Sequence, residues 1–115
     1  MSANLIKKDK RMNDSRVISG KVTVSAGTPA VSIGGGFTVT DTAAGKVTIN
    51  FTRPGKYINA IVASPIEDTA ATGYSCKIMG TPSGSAAIVS TYVADATDGA
   101  LADNISFFFI AVLED

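Results

Sequence analysis

Apolar side chains recur at every second position through much of this chain, and that two-residue period confines those segments to extended strands. Val22 and Val24 face one way while Lys21 and Thr23 face the other; Phe37 and Val39 alternate with Thr38 and Thr40. Val47, Ile49 and Phe51 likewise alternate with Lys46, Thr48 and Asn50. Successive side chains on a strand point to opposite faces, so each segment offers one face to a core and one to water, as antiparallel sheets do. No window sustains a 3.6-residue apolar period, and no long helix is expected.

Turn-forming residues separate these runs. Residues 42–45, Thr-Ala-Ala-Gly, are expected to close a hairpin between the second and third of them. Arg53-Pro54-Gly55-Lys56 carries proline and glycine where a type II turn takes them, with glycine at positive φ. Further strands are expected over Tyr57 to Pro65, Tyr74 to Met79, Ala86 to Ala94 and Ile105 to Glu114, with a short one over Ala30 to Ile33. About eight strands, separated by Gly, Pro, Ser, Thr and Asp, predict a single antiparallel β-sandwich or jelly roll. A chain of 115 residues holds one such domain. Residues 17–115 are expected to form it, preceded by an extended N-terminal arm over residues 1–16.

The composition narrows the chemistry. Histidine is absent, which removes the commonest general base and zinc ligand. Cys76 is the single cysteine, so it has no internal disulfide partner; its phase with Tyr74 and Ile78 puts it on a core face as a small hydrophobe. Gly34-Gly35-Gly36 precedes a strand rather than a helix, so it reads as a turn and not a phosphate cradle. Asp95, Asp98 and Asp103 lack the spacing of a calcium loop, and Glu67 and Asp68 are adjacent and solvated. No catalytic residues, metal ligands or cofactor are expected, and the chain is read as a non-enzyme. A pI near 6.2 without a basic-aromatic surface argues against nucleic acid. The longest apolar run, Phe107 to Leu113, is far short of the roughly 20 residues that span a bilayer, and no signal peptide is apparent, so a soluble chain made inside a cell is expected.

Two features point toward association. Charged residues are only 17% of the chain, below the usual quarter, and buried subunit contacts are depleted in charge in the same way. The last strand is apolar on both faces, with Ile105, Phe107, Phe109, Ala111 and Leu113 on one side and Phe108, Ile110 and Val112 on the other. One reading is a central strand covered by a sheet and a loop; the other, favoured by the scarce charge, makes Phe108, Ile110 and Val112 an oligomer interface. The arm adds a third surface. Its Leu5, Ile6 and Met12 are expected to anchor on a partner, with Lys7, Lys8, Lys10, Arg11 and Arg16 meeting acidic groups.

The run from Gly36 to Thr40, the run from Gly45 to Phe51, Pro54, the stretch from Ile61 to Pro65 and the ending from Asp103 to Val112 together resemble small jelly-roll domains of tailed-bacteriophage virion proteins. The ending more loosely resembles trimeric tumour-necrosis-factor-type heads. The resemblance spans about residues 17–113. It implies an oligomeric, non-catalytic role, with a trimer preferred over a dimer, and offers no site motif to carry over. Such domains occur in capsid decoration (cement) proteins and at tail-fibre tips. A fibre tip needs a shaft, and no coiled coil or repeat is visible. The expectation is therefore a decoration protein on the outer capsid surface, assembled in the host cytoplasm, with the major capsid protein as partner and no membrane contact. The alternative is a trimeric receptor-binding or tail-tip adhesin; its sugar-stacking aromatics are disfavoured by the placement of Tyr57, Tyr74 and Tyr92 within strand patterns.

Overall fold

A computed structural model describes residues 15–25, 27–66, 73–93 and 105–115. Those residues form eight strands: β1 (Ser15–Ser25), β2 (Thr28–Gly34), β3 (Phe37–Ala43), β4 (Lys46–Phe51), β5 (Tyr57–Pro65), β6 (Tyr74–Met79), β7 (Ala86–Val93) and β8 (Phe107–Glu114). They make two four-stranded antiparallel sheets, ordered β2-β1-β8-β5 and β3-β4-β7-β6. The described residues are thus all-β and sandwich-like, as alternation predicts, and among them there is no helix long and apolar enough to cross a membrane.

The core lies between the sheets. Phe107, Phe109, Ala111 and Leu113 of β8 supply its largest row, meeting Phe37 of β3, Val47, Ile49 and Phe51 of β4, and Val89 of β7. Phe37 and Phe109 meet edge to face, their ring centroids 4.7 Å apart at 88°. Removing one such side chain from water contributes about 1.5–3 kcal/mol, which explains why β8 occupies the middle of its sheet. Cys76 and Ile78 pack against this core from β6, as their phase predicts.

Three of the four edge strands carry a bulge. The register shifts by one residue on β2 opposite Lys21 and Val22, on β5 between Ile58 and Ala60, and on β3 between Asp41 and Ala43. An extra residue twists the edge and interrupts its row of free N–H and C=O groups, which blunts pairing with another chain.

Three local expectations are corrected. Ser15 and Arg16 belong to β1, paired with Glu114 and Leu113, instead of to an arm, because β8 is long enough to continue the ladder to them. Gly55 does not adopt the positive φ of a type II turn; among the described residues the glycines at positive φ are Gly27, Gly34, Gly36, Gly45 and Gly80. Gly55 is needed for room instead, since a β-carbon there would lie 2.9 Å from the Leu113 β-carbon and 3.0 Å from the Glu114 carbonyl oxygen. The hairpin between β3 and β4 turns at Ala44 and Gly45, so its strands extend further into 42–45 than the loop expected there. The triglycine run is a connection between sheets, from β2 to β3, with Gly34 and Gly36 at φ 98° and 84°.

Candidate interaction face

The two sheets turn unlike surfaces to solvent. On the outer side of the β3-β4-β7-β6 sheet, Thr38, Thr40, Thr48 and Asn50 alternate with the core residues, and the Asn50 side-chain amide donates to the Thr40 hydroxyl at 2.9 Å. The hydroxyls of Thr42 and Thr48 also bond each other. Polar pairs of this kind across neighbouring strands suit a wet face.

The other sheet differs. Strand register sets its outward residues in rows: Ile33, Lys21, Phe108 and Ser64; then Ser19, Ile110 and Val62; then Val17, Val112 and Ala60; then Ser15, Glu114 and Tyr57. Val17 is 66% exposed, Val62 64%, Ile33 61%, and Phe108 and Ile110 each 50%, whereas Val112 is half-buried. Phe108 and Ile110 form a ridge along β8 with a shallow groove on each side. One, of about 180 Å³, runs against Val62 and Ser64; the other, of about 380 Å³, runs against Ser19, Lys21 and Ile33. Lys21 crosses toward β8, its Nζ 6.0 Å from the Phe108 ring centroid, so its stem and charge border the apolar strip.

Of the residues expected to form an oligomer interface, Phe108, Ile110 and Val112 therefore share one face, and Phe108 and Ile110 each remain half exposed there. Sequence reasoning did not find Val17, Ile33, Val62 or Lys21 as their neighbours. Val17 and Val62 sit in the right alternation phase, but strand neighbours are a property of register and topology.

Arg16 lies elsewhere, at the end of β1. Its Nε donates to both carboxylate oxygens of Asp115 at 2.9 and 3.1 Å, and a terminal nitrogen donates to the Arg53 carbonyl at 2.7 Å. Arg53 reaches the same carboxylate at 3.1 Å. The hydrogen bond from Arg16, with the charges of both arginines, holds the Asp115 carboxyl below its ordinary value of 3.8 despite some desolvation. Arg16 thus joins both ends of the described chain. Leu5, Ile6, Lys7, Lys8, Lys10, Arg11 and Met12 lie outside the described residues, as do Glu67, Asp68, Asp95, Asp98 and Asp103.

Cys76 is half-buried and burial pushes its thiol up to about 11, which disfavours the nucleophilic thiolate. Among the described residues no three acidic, histidine or cysteine side chains come together as metal ligands. Of the tyrosines, Tyr57 is 55% exposed at the end of the apolar face, while Tyr92 is half-buried, with its hydroxyl on the Met79 sulfur at 3.7 Å and the Lys77 ammonium over its ring.

Comparisons of the chain with protein families, with curated proteins and with solved structures return no match.

Proposed function

We propose that this chain is a non-enzymatic structural protein of a tailed-phage virion, a decoration protein that binds the outer capsid surface and stabilises the shell across neighbouring capsomers. One observation carries the reading: a strip of exposed apolar side chains (Val17, Ile33, Val62, Phe108 and Ile110) crosses one sheet face of a small domain, where the β3–β4 part of the opposite face is lined with threonine and asparagine. A contiguous bare apolar strip of this kind marks a surface made to be covered by protein. Burying it across a joint opposes forces that would open the joint.

The likeness to jelly-roll virion domains rests on the paired four-stranded sheets and on the pairing of the first strand with the last. The hairpins β1–β2, β3–β4 and β6–β7 keep more consecutive strands within one sheet than a strict jelly roll does, so the likeness is proposed for the sandwich as a whole. In this reading the basic residues 7–11 with Leu5, Ile6 and Met12 contact the major capsid protein, and the apolar face joins copies of the chain.

Immunogold labelling of particles from cells that produce the protein tests the assignment. Label over the capsid shell is the expected result. Label confined to the tail tip would replace it with the adhesin reading, and particles without label would overturn both.

A further inference from the structure

We propose that the apolar face of the β2-β1-β8-β5 sheet is the interface of a two-fold dimer, in which a second copy packs face to face with its β8 antiparallel to the first. The inference deepens the assembly reading above by naming the occupant of that face and its orientation.

Area is the first argument. Val17, Ile33, Val62, Phe108 and Ile110 leave on the order of 500 Å² of mostly apolar surface bare, near the top of what a monomer ordinarily shows. Adding Tyr57, Val112 and the bordering serines brings the face close to the ~800 Å² per partner of a standard interface. Its charges also sit as in one: the inner rows carry Ile110, Val62, Val17 and Val112 with Ser19 and Ala60, and the charged Lys21 and Glu114 stand in the two end rows.

Edge pairing is the competing route to a dimer, and the bulges on β2, β3 and β5 oppose it at three edges. The fourth edge, β6, has no bulge but is only six residues long and carries an exposed Lys77, which blunts it in another way. The face is then the larger surface on offer.

Charge then selects the orientation. A two-fold axis lying in the interface leaves two simple stackings. With the axis along the strands and β8 over its own copy, Glu114 would meet Glu114 of the second copy, a like-charge contact. With the axis across the strands, the rows invert about the level of Ala111. The row of Lys21 and Phe108 then covers the row of Ser15 and Glu114 of the second copy, because the two rows lie equally far from Ala111. Lys21 already leans toward β8, where that carboxylate arrives. Among the described residues Glu114 has no ion-pair partner within its own chain. Two equivalent Lys21–Glu114 pairs therefore close the dimer at both ends. Sheets stacked in this way cross at about −30°, which sets the Phe108–Ile110 ridge of each copy obliquely over the flanking grooves of the other.

Sedimentation of the full chain at about 50 µM tests this. The expected species has twice the 11.8 kDa chain mass. Ile110→Lys and, independently, Val62→Lys are expected to give monomers with unchanged far-UV circular dichroism. Lys21→Glu and Glu114→Lys singly are each expected to weaken dimerisation about tenfold, and the double exchange in one chain to restore most of it. A monomer, a trimer, or a dimer indifferent to both apolar variants would overturn the interface. Single exchanges without effect, or a double exchange without rescue, would overturn the orientation. Particle labelling fails or succeeds separately, since it does not depend on the state of the free chain.

Discussion

Gly84 and Gly55 touch through their backbones. The Gly55 N–H donates to the Gly84 carbonyl at 2.9 Å, and a β-carbon on Gly84 would stand 2.0 Å from the Gly55 carbonyl oxygen. The contact holds the turn between β4 and β5 against the loop before β7. It is backbone on backbone, so no side-chain rotation can relieve an added methyl. Gly84→Ala is expected to destabilise the fold by about 3 kcal/mol, read as a lowered urea midpoint with an unchanged slope.

Asp115 makes stability depend on acid. Its folded carboxyl titrates below its unfolded value because Arg16 and Arg53 favour the charged form. The resulting stabilisation is fully present above the unfolded value and is lost as pH falls through the folded one. Asp115→Asn is expected to melt below the parent at pH 7, and the two curves to converge in acid once Asp115 is protonated in both states. Added salt should shrink the difference at neutral pH, because the cluster is solvent-exposed.

Cys76 should report on unfolding. With its thiol pushed up to about 11, the native thiolate at pH 8 is scarcer than in an unfolded chain by roughly two orders of magnitude. Alkylation by iodoacetamide is expected to be slower by at least that ratio in the native protein, with full reactivity in urea. Fast native labelling would show that the thiol is neither buried nor neutral.

Phe108 and Phe109 are neighbours with opposite duties. Phe109→Ala removes a ring that is 2% exposed and packed on Phe37, and is expected to cost about 3–5 kcal/mol. Phe108→Ala is expected to cost below about 1 kcal/mol when measured at concentrations where the chain is monomeric. Denaturant titration of both variants at the same low concentration checks the contrast.

Much of this architecture is legible in the sequence, because alternation is a local signal. The alternation of Val47, Ile49 and Phe51 places β4 and its buried face, and the phase of Cys76 places its thiol toward the core. The two-sided apolar pattern of β8 singles out Phe108 and Ile110. What stays illegible depends on partners distant in the chain. Nothing near Val17 says that it lies beside Val112, and nothing near Lys21 says that it borders Phe108. The role of Gly55 is hidden for the same reason: proline followed by glycine suggests a turn type, whereas the crowding that demands glycine comes from Leu113 and Glu114.

The pairing of β1 with β8 also has a kinetic side. The strand that joins the β1–β2 hairpin to β5 begins 92 residues after β1 does, so that sheet cannot close until the last strand is available. Loop closure over such a separation is slow, and it leaves the facing edges of β1 and β5 open in the meantime. At high concentration during synthesis, β8 of one chain can enter the gap in another. Exchange of that strand is therefore the misassembly to which this topology is most exposed, and low protein concentration during refolding is the condition that favours closure within one chain.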